Sequence, residues 1–206
     1  MTTNNKLFFM TDQDRVREIV GLSYTILCNK IAHGSINVFN EASFQLQFGI
    51  ILHEIGKLFE SDPNDRFQID FEVPISGVPC VKTKPSGNAR CDIILQFNNC
   101  VCAIELKYLT EVQASTDHRW GVIKDIELLE NYSTYQRKDI LPRYSIIGAT
   151  LDKYAKGTGM SSGIDISDGH TLSGKLVYND TITLKNTYDL KWDNIGDYYF
   201  WILEVP

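Results

Sequence analysis

The chain has 206 residues, 43% of them hydrophobic and 22% charged, and its formal net charge is −6 at pH 7. This composition is typical of a globular protein with one sizeable core, and it predicts a single domain over residues 1–206. The acidic balance excludes the class of proteins that coat nucleic acid by bulk charge, because those proteins are usually basic.

Two helices are predicted near the start of the chain. Residues 12–32 place apolar side chains at helical spacing, with Asp12 or Asp14 as the cap and a stop after residue 32. Asn40 is the expected N-cap of the second helix, which continues to residue 60. Its apolar stripe consists of Phe44, Phe48, Ile51, Ile55 and Leu58.

Glu41 stands in the first turn of the second predicted helix. It lies seven residues before Phe48, so its side chain projects from nearly the same face as the apolar stripe, toward the sheet. A carboxylate at this position also interacts favourably with the helix dipole. Position alone therefore leaves two interpretations of Glu41 open: a partner of the dipole, or a member of a functional site.

A strand and then a hairpin are predicted next. In residues 67–75 apolar and polar side chains alternate, which indicates a half-buried strand, and residues 78–88 form a polar and basic loop. Two longer apolar runs follow at 90–97 and 100–109, joined by two asparagines. Two runs of strand length with a turn dipeptide between them are typical of a β-hairpin.

The predicted hairpin carries charges where a buried strand is normally apolar. Alternation along a strand places Glu105 and Lys107 on one face of the second strand, and Asp92 lies near the start of the first. In an antiparallel hairpin these two ends are neighbours, so the three side chains should converge. Charges at core-like positions are costly unless they are paired or bind a metal.

Two interpretations of these charges are open. Two carboxylates a short distance apart make a hard-oxygen site for Mg²⁺, and a lysine beside them can hold or activate a water or stabilise developing negative charge. The alternative is a structural ion pair of Lys107 with Glu105 or Asp92. The D-x12-E-x-K spacing on a hairpin favours the functional site.

The remaining elements complete an α/β pattern. Residues 110–123 are polar and irregular, and residues 124–138 are predicted to form a helix. A strand at 143–151 is expected to lie beside the hairpin in a mixed sheet. Residues 152–168 are expected to form a loop, and residues 171–205 contain a hairpin and a final strand. The predicted fold class is therefore α/β, with a central mixed β-sheet flanked by helices and extra C-terminal strands.

Asp92 followed by Glu105-Leu106-Lys107 resembles the motif of the PD-(D/E)xK nucleases, the restriction-endonuclease-like superfamily. Cys91 stands where that motif has proline. The resemblance implies a restriction-endonuclease-like core. It also implies a Mg²⁺-dependent endonuclease that hydrolyses DNA phosphodiester bonds, of restriction or defence type, with Mn²⁺ able to substitute.

The same resemblance implies a role for each residue of the motif. Asp92 and Glu105 would bind the metal, together with the main-chain carbonyl of Leu106. Lys107 would orient or deprotonate the attacking water. Glu41 would bind a second metal or a water on it.

The resemblance covers about residues 40–150, which leaves 151–206 as a C-terminal extension of the same domain. DNA is the expected partner, RNA is left open as a substrate, and a homodimer would suit exposed aromatic residues near the C-terminus. The side chains expected to contact nucleic acid are Gln45, Lys82, Lys84, Arg90, Arg119 and Lys124.

A rival interpretation is a non-catalytic nucleic-acid-binding or scaffold protein that keeps the nuclease fold. Its support is the acidic net charge and the lack of a distinct basic stripe in the sequence. No apolar run reaches membrane-spanning length, and residues 1–12 have too short an apolar patch for a secretory signal. We therefore expect a cytoplasmic protein with no membrane partner.

Overall fold

Two capped helices form the N-terminal part of the fold. The computed structural model describes residues 10–76, 78, 88–110, 115–158 and 164–206. Helix α1 (Asp12–Ala32) begins at Thr11, whose hydroxyl accepts the Asp14 N–H while the Asp14 carboxylate accepts the Thr11 N–H. Thr11 is therefore the cap, and Asp14 is its capping-box partner. Helix α2 (Glu41–Leu58) begins after Asn40, as predicted.

A seven-stranded mixed sheet forms the centre of the protein. The strands, in chain order, are β1 (Phe67–Ser76), β2 (Asn88–Phe97), β3 (Cys100–Leu109), β4 (Thr134–Tyr135), β5 (Lys138–Ala149), β6 (Thr171–Val177), β7 (Thr181–Asp189), β8 (Asp193–Ile195) and β9 (Tyr198–Val205). The order across the sheet is β1-β2-β3-β5-β9-β8, with β4 paired to β5, and β6 and β7 form a separate hairpin. β3 and β5 run parallel, and the other neighbours run antiparallel.

Helices cover both faces of the sheet. α1 and α2 pack on the face where β3 presents Ile104. Helix α3 (Ser115–Asn131) and the β6–β7 hairpin pack on the face where β3 presents Ala103, and a short helix, α4 (Asp152–Ala155), follows β5. Because side chains alternate along a strand, Glu105 and Lys107 belong to the α3 side. No helix within the described ranges is long and apolar enough to cross a membrane.

Asn98 fixes the turn of the β2–β3 hairpin. Its φ of 52° lies in the left-handed region, which asparagine tolerates better than most residues. Its side-chain oxygen accepts the Arg66 N–H at 2.9 Å, and its amide donates to Asp65 at 3.1 Å and to Asp12 at 3.2 Å. The turn is thereby tied to the start of β1 and to the start of α1.

Arg143 on β5 binds the C-terminal end of α3. It is only 9% exposed, and its Nη1 donates to the carbonyls of Leu129 at 2.9 Å and Tyr132 at 2.8 Å. The last carbonyls of a helix have no partner within the helix, so a buried helix end needs donors of this kind. Burial lowers the pKa of Arg143 from its ordinary value.

Glu130, also at the end of α3, fastens the β6–β7 hairpin to the helix. This carboxylate is 6% exposed and accepts the main-chain N–H groups of Lys185 and Asn186 on β7. The Tyr188 hydroxyl donates to the same carboxylate at 2.7 Å. The C-terminal extension is therefore packed on the core through a buried, fully hydrogen-bonded acid.

The structure confirms the α/β class with a mixed central sheet flanked by helices, and it corrects the boundaries of the helix after the motif. α3 begins at Ser115 instead of residue 124, because the burial of Trp120 stabilises a polar stretch as helix. It ends at Asn131 instead of residue 138. Gln136 and Arg137 have φ of 50° and 66°, so they form the tight turn between β4 and β5.

Two of the aromatic residues of β9 lie inside the protein, whereas Tyr198 and Tyr199 are partly exposed. Phe200 is 0% and Trp201 1% exposed, because β9 lies between β5 and β8 in the sheet. These two residues are therefore core residues and not the exposed aromatics on which the prediction of a homodimer depended.

Replacing Glu130 should destabilise the fold. Glu130→Gln removes the charge that accepts the β7 donors, and we expect the free energy of unfolding to fall by about 1.5–3 kcal/mol, the usual range for hydrogen bonds to a charged group. Urea denaturation measures the change. The matched control is Glu54→Gln on α2, where the side chain is 77% exposed. A loss of equal size in both variants would contradict the role given to Glu130.

Candidate functional site

The paired register of β2 and β3 ends next to the motif acids. It runs from Phe97 opposite Cys100 to Ile93 opposite Ile104. Beyond that point β2 continues its pairing with β1, and β3 continues its pairing with β5. The two strands of the hairpin therefore part at Asp92 and Glu105.

One carboxylate oxygen of Asp92 accepts a main-chain hydrogen bond at the point where the pairing of β2 and β3 ends. Its Oδ2 accepts the main-chain N–H of Leu106 at 2.7 Å. Gln45, on α2, donates from Nε2 to the main-chain carbonyl of Asp92 at 2.8 Å and to Glu72 Oε1 at 3.3 Å. The carboxylate of Asp92 is thus held by the next strand, and its main chain is held by the second turn of α2.

Glu105 is a buried carboxylate, 1% exposed, on the α3 side of the sheet. The hydroxyl of Tyr132 donates to its Oε1 at 2.9 Å. Burial, and then the charge of Glu105, raise the pKa of Tyr132, so this phenol stays protonated as a donor. Burial also raises the pKa of the Cys91 thiol, with further contributions from the charges of Glu105 and Asp92. Both carboxylates therefore lie near the same thiol.

Lys107 joins two carboxylates that differ in exposure. Its Nζ lies 3.1 Å from both oxygens of Glu41 and 3.3 Å from Oδ2 of Asp125. The Glu41 side chain is 46% exposed, the Lys107 side chain 21% and the Asp125 side chain 2%. Lys107 Nζ also lies 3.4 Å from the carbonyl of Leu106. The structure thus brings Glu41, from α2, to the end of the motif strand, as predicted, although its carboxylate stays half in solvent.

Two residues of the site were not assigned to it from the sequence. They are Asp125 and Tyr132, both within the stretch 124–138 that the sequence predicts to be helical. A signal for Asp125 did exist: it lies three residues after Val122 and four before Leu129, which places a charged residue on the buried stripe of α3.

The structure places the cationic residues predicted to contact nucleic acid in different surroundings. Lys82 and Lys84 lie outside the described residues. Arg90 is 71% exposed on its side chain and stands 3.9 Å from Glu72. Lys124 is partly exposed at the cleft beside Lys107.

Arg119 is the exception among these cations. It is 1% exposed, its guanidinium donates to the main-chain carbonyls of Lys153 and Thr158, and it lies over the ring of Tyr154. Burial lowers its pKa from the ordinary value. Arg119 is therefore a packing residue under the segment that follows β5, and a surface contact with nucleic acid is not open to it.

A small cleft opens beside Lys107. It has a volume of about 180 Å³ and is lined by Lys107, Gly121, Lys124 and Asp125. Gly121 lies one turn before Asp125, and a Cβ at this position would stand 3.9 Å from Cε of Lys107. The absence of a side chain at Gly121 leaves the stem of Lys107 and the cleft beside it open.

The donor set at the strand ends suits Mg²⁺. Asp92, Glu105 and the carbonyl of Leu106 supply hard oxygen atoms, and Asp92 and Glu105 each have a second carboxylate oxygen. Across the described part of the chain, no group of three or more His, Cys, Asp or Glu side chains gathers into a cage for a metal. Mg²⁺ does not need such a cage, since it is commonly held by one or two carboxylates and keeps several waters.

Comparison of the chain with protein-family models, with curated proteins and with solved structures gives no match. Functional inference therefore depends on the motif and on the geometry of the site.

The ion pair of Lys107 and Asp125 predicts a coupled effect on stability. Lys107→Met leaves a buried carboxylate without its cation, so we expect the free energy of unfolding to fall by about 3 kcal/mol, as for other buried pairs that lose one partner. Adding Asp125→Asn to Lys107→Met should restore more than half of that loss, because the orphaned charge is removed.

Urea denaturation of the wild type, the two single variants and the double variant measures the coupling. Losses that simply add in the double variant would mean that the two side chains do not stabilise each other.

Proposed function

We propose that this protein is a Mg²⁺-dependent nuclease that hydrolyses DNA phosphodiester bonds and has a restriction-endonuclease-like core. The observation that carries the proposal is the hydrogen bond to Asp92 Oδ2 from the main-chain N–H of Leu106, the residue between Glu105 and Lys107, at the point where β2 and β3 part. Glu41 joins the group through Lys107. Several carboxylates and a lysine at one strand end are costly to assemble, and they are the groups that phosphodiester hydrolysis needs.

The order of the elements supports this core. A helix, a strand, a hairpin that carries the motif, a second helix and a strand parallel to the hairpin follow one another as α2, β1, β2–β3, α3 and β5. This is the order that the resemblance to the PD-(D/E)xK nucleases implies. Glu41, the first residue of α2, and Lys107, the lysine of the motif, are in contact.

The chemistry asks for charge neutralisation and for an attacking water in line with the leaving oxygen. Asp92, Glu105 and the carbonyl of Leu106 would hold Mg²⁺, which when bound supplies neutralisation of the charge that develops on the phosphate. Lys107, whose ammonium contacts Glu41 and Asp125, would orient the attacking water, and the proton of that water would pass to solvent. Attack on phosphorus in line with the 3′-oxygen then leaves a 5′-phosphate end.

Neighbouring residues keep these groups in position. Tyr132 donates to one oxygen of Glu105, and the Leu106 N–H donates to one oxygen of Asp92. Gln45 fixes the main chain of Asp92 to α2. Positioning of this kind contributes to catalysis because the reacting groups need not be reorganised when substrate binds.

Two lysines line the cleft that the substrate would meet, on a protein whose net charge is −6. The cleft over Gly121 has room for a phosphate oxygen beside Lys107 and Lys124, and Asp125 lines it as well. Arg90 extends from the same end of β2 into solvent. DNA is the substrate class that the motif favours, and RNA belongs in the same test.

The proposal predicts metal-dependent cutting that depends on the motif. We expect wild-type protein to cut supercoiled plasmid or single-stranded DNA in Mg²⁺ or Mn²⁺ and to stop in EDTA. Asp92→Asn and Glu105→Gln should each lower the rate of cutting by more than roughly 10–100-fold, which is the loss typical when a residue that supports a metal ligand is replaced. Gel assays measure cutting, and calorimetry with Mg²⁺ or Mn²⁺ measures the loss of metal affinity.

Asp70→Asn is the matched control, because Asp70 lies on the neighbouring strand β1 and its carboxylate accepts hydrogen bonds from Gln68. It should keep wild-type activity. A wild-type protein that binds no metal and cuts neither DNA nor RNA would reject the nuclease and favour a scaffold that keeps the fold without the reaction.

A further inference from the structure

We infer that Asp125 is the positioning residue of the site: it holds the Lys107 ammonium in place, so that Glu41 is free to turn from Lys107 to a bound cation. This inference rests on the proposed function, because it assigns Lys107 a position that matters for a reaction. It goes beyond the motif, since Asp125 lies on α3, outside the stretch that carries the resemblance to a nuclease active site.

The two carboxylates at Lys107 are not equivalent. Both lie within ion-pair distance, 3.1 Å for Glu41 and 3.3 Å for Asp125. Water competes for the half-exposed Glu41, and exposed ion pairs are weak. The Asp125 side chain is 2% exposed, so water cannot replace Lys107 as its partner. Removing the cation from a buried carboxylate strongly destabilises a fold. Asp125 is therefore the fixed partner and Glu41 the exchangeable one.

The position of Asp125 is itself well determined. α3 is fastened at its end by Arg143 and by Glu130, so the helix cannot slide along the sheet without breaking buried hydrogen bonds. Tyr132, two turns after Asp125, binds Glu105. One side of α3 thus aligns two neighbouring motif residues, the acid through Tyr132 and the lysine through Asp125.

Glu41 has the opposite character. It lies in the first turn of α2, where the side chain has solvent on one side and Lys107 on the other. A cation near Asp92 and Glu105 would attract it, and its departure would leave Lys107 with the charge of Asp125. Without Asp125, Lys107 would compete with the cation for Glu41, and the ammonium would lose its fixed position.

Steady-state kinetics test the positioning role. Asp125→Asn keeps the shape of the side chain and removes its charge, and we expect kcat to fall by about 10–100-fold with KM for DNA unchanged, as for other groups that orient a catalytic residue. Asp125→Ser is a second variant with a smaller side chain, so the test does not depend on the folding of one protein. Circular dichroism checks that each variant is folded.

Glu130→Gln is the matched control, because Glu130 is a buried acid on the same helix whose carboxylate contacts β7 and not Lys107. It should lower the melting temperature, and it should lower kcat per folded molecule by much less than Asp125→Asn does, because Arg143 still holds the end of α3. A fall in kcat equal to that of Asp125→Asn would overturn the inference, since both acids would then act only through the stability of α3.

NMR of the lysine ammonium groups in metal-free protein gives a readout that needs no activity. We expect an ammonium signal protected from solvent exchange, assigned to Lys107 by its absence from Lys107→Met. It should persist in Glu41→Gln and disappear in Asp125→Asn. The reverse pattern, loss in Glu41→Gln and persistence in Asp125→Asn, overturns the inference.

The two experiments separate this inference from the proposed function. Wild-type protein that cuts nothing but shows the Asp125-dependent signal would reject the nuclease and retain Asp125 as the fixed partner of Lys107. Wild-type protein that cuts DNA, with Asp125→Asn and Asp125→Ser cutting equally well, would retain the nuclease and reject the inference.

Discussion

Charged side chains that leave water need partners, and in this protein several of them meet between β3 and α3. Glu105 and Asp125 are almost completely buried, and Lys107 is only one-fifth exposed. Each has a specific contact: Glu105 with Tyr132, and Asp125 with Lys107. Because an unpaired charge in this layer would cost as much as a large part of the stability of a domain, the helix, the strand and the C-terminal hairpin must all be correctly placed together.

Helix α3 connects the stability of the fold to the candidate site. At its end, Arg143 and Glu130 bind it to β5 and β7. Asp125 of the helix and Tyr132, the residue directly after it, contact the motif strand. The C-terminal extension therefore contributes to the site without supplying a residue to it, since the β6–β7 hairpin fixes the helix that orients Lys107. Removal of that hairpin would expose the buried face of α3.

The parts that the sequence predicted are those set by local pattern. Alternation and turn chemistry predicted β1 and the β2–β3 hairpin, and helical spacing with an asparagine cap predicted α2. The start of α3 could not be predicted, because Ser115 to Gly121 is polar and contains a glycine, and tertiary burial of Trp120 makes it helical. For the same reason Arg119 looked like a phosphate ligand: its partners, carbonyls far along the chain, are not visible in a local pattern.

The anchored turn of the hairpin has a mechanical consequence. Asn98 ties one end of β2–β3 to β1 and α1, whereas the other end opens between two different neighbours. Asp92 is six residues from Asn98, so the distance between turn and site is roughly 20 Å at the rise of a β-strand. The β2–β3 pairing continues over most of that distance, from Phe97 opposite Cys100 to Ile93 opposite Ile104. The spacing of the motif acids at the open end is therefore inherited from a turn that is fixed far from the site.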